Sequence, residues 1–369
     1  PLEALDQVFV SLFAVFSKPT AIFFRKYLLT PALRLGVVMV IAATGGSVEQ
    51  LALGYVLTSA FGIGIYAVLL VRVFHERGLW HHLRKDGVKF PVKAVFSFSF
   101  PTLTSELVFL ATHLGTVMVL GAWSGARAVA EFRAVLPAAR LNQAVYQTFV
   151  TLFLPMSARL HTRGDHDGVR ETYWQTAHFM AVATFPILAM TTVFAETTTV
   201  TLFGERYAVS GTIMMIMAAG YYVSVSLGFN SYVLQIYGRL RYLMLSNVGV
   251  AVASVILAFV LIPRYGAVGA ALTNASTMAG QNLVNQVVLL RTLKRGGNPA
   301  VYARPYVVTG STLVLLLAVQ LAFEPGILPA LALSALASLA VLRLTRDQIQ
   351  LTTILPMLRK VPGVRQLAG

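Results

Sequence analysis

Residues 241–291 read RYLMLSNVGVAVASVILAFVLIPRYGAVGAALTNASTMAGQNLVNQVVLLR, and this stretch decides the fold. It opens on Arg241, runs through an apolar segment to the turn Pro263-Arg264-Tyr265-Gly266, returns through a second apolar segment and closes on Arg291. A helix crossing a bilayer needs about 20 largely apolar residues rising 1.5 Å each, so the stretch has the length of two crossings joined by a tight turn. Its two ends are basic and its tip is short, which places both ends on one side of a membrane.

The same alternation extends in both directions. Apolar segments are expected at about 31–47, 49–73, 94–121, 129–157, 173–195, 208–235, 241–262, 267–293, 305–323 and 326–344, ten in all. Residues 2–30 read as an interfacial lead-in, with Phe13, Phe16, Phe23 and Phe24 beside Lys18, Arg25 and Lys26. Every second connection collects Lys and Arg: Lys18 to Arg34, Arg72 to Lys93, Arg159 to Arg170, Arg239 and Arg241, Arg291 to Arg304, and the tail from Arg343 to Arg365. Together these hold 24 of the chain's 29 basic residues. The intervening connections carry Glu49, Glu196, Glu205 and Glu324, with Arg127, Arg206 and Arg264 as the exceptions. Positive charge resists translocation, so the basic loops and the C-terminus are expected on the cytoplasmic side of a multi-pass protein of the cell (cytoplasmic or inner) membrane.

Composition agrees. Of 369 residues 57% are apolar and 12% charged, and the mean hydropathy is +0.72, more apolar surface than one soluble core hides. The net charge of +15 lies in membrane-flanking loops, where anionic headgroups are the natural counter-charge, so nucleic acid is not expected as a partner. Cysteine is absent, which excludes disulfides and thiolate sites. The chain starts on Pro1 rather than Met, as a fragment would.

Polar residues inside apolar segments need partners or a wet cavity, because a charge near the bilayer centre costs about 2.5–3.5 kcal/mol on insertion scales. Arg133 and Arg140 are seven apart and share a helix face, with Gln143 and Gln147 extending the stripe. From a helix start near 129, Arg140 lies about 16 Å in. The pair either lines a polar cavity or binds Glu106 or Glu131 to hold helices together. Glu106 and His113, also seven apart, are either a proton- or cation-coupling site or a packing ion pair and a satisfied histidine. Asn274, Gln281 and Asn285, with Gln286 beside them, either bind hydroxyl groups or link helices by hydrogen bonds. Pro101, Pro137 and Pro186 are placed to kink their segments.

Other apparent motifs carry nothing. Gly62-Ile63-Gly64-Ile65-Tyr66-Ala67 imitates a dinucleotide fingerprint inside an apolar helix, and no Walker A sequence is present. His75, His81 and His82 lack the cysteines or paired carboxylates of a metal site, and Asn274-Ala275-Ser276 lies too deep for glycosylation. No metal and no cofactor is expected.

Two hairpins resemble each other: Lys26-Tyr27-Leu28-Leu29 and Arg241-Tyr242-Leu243-Met244 each precede helix, turn and helix, and both hairpins end on a basic residue. They read either as a parallel repeat of the kind that builds two-lobed transporters or as two hydrophobic hairpins alike by composition.

From Leu202 the chain continues Leu202-Phe203-Gly204-Glu205-Arg206-Tyr207, then Gly228-Phe229-Asn230-Ser231-Tyr232-Val233-Leu234 and Tyr237-Gly238-Arg239-Leu240-Arg241, then Leu261-Ile262-Pro263-Arg264-Tyr265-Gly266-Ala267-Val268-Gly269-Ala270-Ala271. This resembles the O-antigen and teichoic acid exporters, the polysaccharide flippases of the multidrug/oligosaccharidyl-lipid/polysaccharide exporter superfamily. The Ile262-to-Ala271 turn is its most specific element. The resemblance implies an all-α membrane protein of two six-helix lobes, both termini cytoplasmic. On that template the first four helices are missing: residues 1–93 are the remainder of the N-lobe with two crossings, 94–300 the six-helix C-lobe, and 301–369 two trailing crossings and a basic tail.

The implied activity is alternating-access transport of a polyprenyl-(pyro)phosphate-linked oligosaccharide across the cytoplasmic membrane for surface polysaccharide synthesis, without enzymatic catalysis. Arg133, Arg140, Gln143, Gln147, Asn274, Gln281 and Asn285 are the cavity candidates, and Glu106 and His113 the coupling candidates. The lipid-linked glycan, membrane lipids and other polysaccharide-assembly membrane proteins are the implied partners. The alternatives are a cation-coupled multidrug exporter of the same fold, which favours an acidic cavity, a membrane glycosyltransferase, which needs a large outer loop, and a passive scaffold.

Overall fold

The computed structural model describes residues 5–6, 8–9, 28–76, 92–293 and 299–349, the backbone alone at 76, 93–95, 97–113, 151–152, 299–301 and 349. The described residues are helical, with no strand among them. The chain divides into two compact units, Pro1–Val95 and Phe96–Gly369.

The first unit holds α1, Thr30–Thr44, and α2, Val48–Glu76. Gly45, at φ +64°, ends α1 in the left-handed conformation that glycine adopts without steric cost. Ser47 and Gln50 then start α2 with a reciprocal capping box: the Ser47 N–H donates to Gln50 Oε1 at 2.9 Å and the Gln50 N–H to Ser47 Oγ at 3.3 Å. Gly54 lets the two helices approach, since a Cβ there would collide with Val37.

In the second unit α3, Val92–Ala139, is followed by α4, Leu141–Thr162, and α5, His166–Ala183, which leads through Thr184 into α6, Phe185–Thr192. Next come α7, Ala195–Phe203, a 3₁₀ turn at Glu205–Tyr207, α8, Ser210–Leu227, and α9, Phe229–Ile236. The last three are α10, Leu240–Thr292, α11, Pro299–Phe323, and α12, Ile327–Ile349. An unbroken α10 would be roughly 80 Å long, far beyond a hydrocarbon core of about 30 Å. It bends at Gly266, whose φ of +54° and ψ of −128° belong to no helix, and so forms two arms. Gly125, at φ +77°, divides α3 in the same way. The two breaks are neighbours, since a Cβ on Gly266 would lie 3.5 Å from Ser124 Oγ.

These breaks replace the short loops expected at 122–128 and 263–266. Another difference falls within the segment expected to be continuous over 129–157, where Arg140, at φ −88° and ψ 0°, separates α3 from α4. Pro137, three residues upstream, removes the donor that would bond the Arg133 carbonyl and so weakens the turn that precedes the joint.

The second unit has two apolar cores. One gathers Phe153, Tyr173, Phe185, Phe229 and Leu289, and the other Phe132, Val135, Met214, Met217, Tyr221 and Ile262. α8 packs on α10 so closely that a Cβ on Gly220 would lie 2.6 Å from Ala275 Cα. Large apolar side chains also cover the outside: Leu245 is 73% exposed, Val314 67% and Leu321 76%. Side chains of this kind in such density face lipid.

Among the described residues five helices are long and apolar enough to cross a membrane: Val48–His75, Ser210–Ile236, Leu240–Thr292, Tyr302–Phe323 and Ile327–Gln348. A sixth follows if α6 and α7, bent by 80° to each other, form one broken span. The expectation of about ten crossings rests, for the other segments, on the sequence. α5 falls short because it opens with Asp167, Arg170 and Glu171.

Candidate functional site

Arg140 stands at the joint between α3 and α4, half-buried. Measured from the Gly125 break it lies about 21 Å along the helix. Its Nε donates to the Tyr221 hydroxyl on α8 at 2.6 Å, and its guanidinium carbon lies 5.6 Å from the centre of the same ring. A phenol orients the guanidinium without neutralising it, so the remaining N–H donors keep their full charge for a ligand.

Two residues on, Asn142 is fully buried, and neither atom of its amide has a hydrogen-bond partner among the described residues. A buried amide costs about 1–3 kcal/mol when left unpaired, so an orphan here marks a place where a polar group belongs. Gln143 is half-buried and Gln147 exposed on the same helix. Arg133 is exposed on α3 and has no ion pair among the described residues. Glu131, its potential partner, is bound 3.0 Å from Arg127 instead. Glu106 and His113 lie on α3 with side chains outside the described set.

The amide stripe on α10 is tied up within the protein. Gln281 Nε2 donates to Asn247 Oδ1 at 2.7 Å, joining the two arms of α10. Asn285 accepts from the Tyr242 hydroxyl at 2.9 Å and donates to Ser231 Oγ at 3.4 Å. Asn274 Nδ2 bonds back to the Ala270 carbonyl of its own helix at 3.2 Å. Asn282, which sequence reasoning passed over, donates to Ser224 Oγ at 3.2 Å, and its carbonyl accepts from Asn230 Nδ2 at 2.9 Å. The Tyr173 hydroxyl on α5 donates to Gln286 Oε1. Five helices or arms are thus stitched together through one seam, the helix-linking role that amides play in lipid.

Asn142 and Tyr221 were also missed. Asn142 had a legible signal, an amide directly before Gln143 in the cationic stripe. Tyr221 had none, because only packing brings residues 81 apart in sequence together.

An apolar recess of about 620 Å³ opens between α6, α8 and α11, lined by Leu188, Met215, Tyr222, Val223, Leu313 and Val314 among others. Its lining offers almost nothing but hydrocarbon, which suits a lipid chain.

Fold and site together define a multi-pass α-helical membrane protein with a polar seam and a cationic joint inside an apolar shell. Residues 17–212 match the family described as polysaccharide biosynthesis protein, and the chain belongs to it. The matched range includes Arg133, Arg140, Asn142, Gln143 and Gln147, while the α10 seam lies beyond it. No curated protein and no solved structure matches the chain.

Proposed function

We propose that this protein is a flippase, carrying a polyprenyl-(pyro)phosphate-linked oligosaccharide from the cytoplasmic to the outer leaflet by alternating access. The family supplies the polysaccharide context. The observation that carries the step to transport is Arg140: a half-buried guanidinium at a helix joint, held by Tyr221 and by no carboxylate among the described side chains, two residues before the orphan amide of Asn142. A diphosphate crossing hydrocarbon needs its charge met on the way, and a guanidinium fork fits phosphate oxygens bidentately. The recess beside α11 offers the polyprenyl chain an apolar path while the head moves.

The multidrug-exporter alternative calls for interior carboxylates. Among the described side chains of the second unit the acids stand in two groups near helix ends: Glu131, Glu196, Glu205 and Glu324 in one, and Asp165, Asp167, Glu171 and Asp347 in the other. A glycosyltransferase calls for a large outer domain, whereas the connection from α6 to α8 consists of one short helix and one turn.

The test is leaflet-to-leaflet movement of a fluorescent lipid-linked oligosaccharide in liposomes holding the full-length protein. Arg140→Ala is expected to slow it by about ten- to a hundredfold, the worth of a hydrogen bond to a charged group, with Arg140→Lys retaining part of the rate. Movement at the wild-type rate in Arg140→Ala sinks this reading.

A further inference from the structure

Three arginines stand among the connections that the loop charges place on the outer side: Arg127, Arg206 and Arg264. Each is out of place by the rule that keeps positive charge inside. Two of them meet. A pocket of about 330 Å³ is lined by Arg127, Ala130 and Glu131 of α3 with Arg206 and Tyr207 of the turn after α7.

The positions follow from the backbone. Gly125 breaks α3 and opens a new arm whose first turn carries Arg127, at the end where the helix dipole already favours negative charge. Gly204, at φ +89°, ends α7 and starts the turn that presents Arg206. Both guanidinium groups are held. Arg127 Nε donates to Glu131 Oε1 at 3.0 Å, which leaves its two terminal nitrogens for another acceptor. Arg206 lies 5.4 Å over the Tyr207 ring, with Nη2 donating to the hydroxyl at 3.5 Å. The pocket contains two cations and one carboxylate, so it carries a net positive charge. Arg264 belongs to the neighbouring break at Gly266 and does not line the pocket.

We infer that Arg127 and Arg206 form a binding site for the phosphate of a lipid headgroup at the outer membrane surface. Phosphate fits the donor set: its oxygens accept from two guanidinium forks, and the net positive charge of the pocket attracts an anionic head. The headgroup belongs either to the translocated carrier, where the site receives it at the end of its passage, or to a resident phospholipid. The carrier assignment rests on the flippase reading, whereas the phosphate site does not.

The test uses the full chain in phosphatidylcholine nanodiscs, with polyprenyl diphosphate and phosphatidylglycerol as probes and bound lipid read by native mass spectrometry. Arg127→Gln combined with Arg206→Gln is expected to weaken retention of one or both probes about tenfold, as loss of charged hydrogen bonds does. Arg264→Gln keeps wild-type retention, and the corresponding double Lys variant recovers part, since it restores charge without the fork. Loss confined to polyprenyl diphosphate assigns the carrier. Loss of phosphatidylglycerol, alone or with the diphosphate, assigns a general phospholipid headgroup. Unchanged retention in the double Gln variant, or equal loss in Arg264→Gln, overturns the site.

Melting temperatures control for folding, and if the Gln pair is unstable the Lys pair gives the reading through its fork-dependent loss. Because the chain has no cysteine, Arg127→Cys reports sidedness cleanly. Labelling of intact cells by a membrane-impermeant maleimide is expected, and labelling only after permeabilisation overturns the outer placement. Diphosphate binding here in a protein that fails to flip lipid keeps this site and removes the proposed function.

Discussion

The two arms of α10 follow each other in one broken helix and meet different surroundings. On the arm before Gly266 only Ser254, Ala258 and Ile262 are buried, while Leu245, Val252, Ile256 and Phe259 are at least half exposed. On the arm after it Ala267, Gly269, Ala270, Ala271, Thr273, Asn274, Thr277, Asn282, Asn285, Gln286 and Leu289 are all buried. The arm before the break is the more apolar of the two, and side-chain size and hydrogen-bonding capacity set them further apart. Lipid replaces lipid at no cost on the first arm, so bulk suffices there. The second arm must approach α8 and α9 closely, and small residues and amides are what close approach in a membrane requires.

The contrast breaks most readily at the closest approach. Gly220→Leu drives a side chain into the Ala275 backbone, and overpacking there is expected to cost about 3 kcal/mol or more, seen as loss of monodisperse protein and a large drop in melting temperature. Asn282→Leu removes the bond to Ser224 and is expected to destabilise by about 1–2 kcal/mol in a thermal melt.

Asn142→Leu sharpens the contrast from the functional side. With both amide atoms unpartnered, replacement by an apolar side chain of similar volume is expected to leave stability unchanged or raise it by about 1 kcal/mol while transport in liposomes falls. A drop in stability with transport intact makes Asn142 a structural residue. At the small end, Val252→Ala and Ile256→Ala on the exposed arm are expected to shift stability by less than about 0.5 kcal/mol. A larger shift shows that this arm meets protein rather than lipid.

The segments expected at 49–73, 305–323 and 326–344 coincide within a few residues with α2, α11 and α12, because apolar runs of that length have one stable form in lipid. The hairpin at 241–291 was equally legible, down to its turn at Gly266. The break at Arg140 was not, although Pro137 was noted as a place for a kink. A proline says that a helix is disturbed and leaves to the neighbouring packing which residue turns. Of the amides whose spacing leaves two roles open, Gln281 and Asn285 bond to other helices or arms, whereas Asn274 bonds back to its own helix. Period alone does not distinguish an amide facing a neighbouring helix from one facing water.

By itself the sequence determined that the chain is helical and membrane-embedded and where its apolar segments lie. Length, hydropathy and charge act locally, and a bilayer translates them into structure almost residue by residue. Tertiary packing alone decided that Tyr221 meets Arg140, that Asn142 is left without a partner among the described residues, that the α10 amides reach α5, α8 and α9 along one seam, and that Arg127 and Arg206 line one pocket. Those pairings join residues far apart in the chain, and the lateral packing of helices in lipid depends on shape and hydrogen-bond complementarity, which no local pattern encodes.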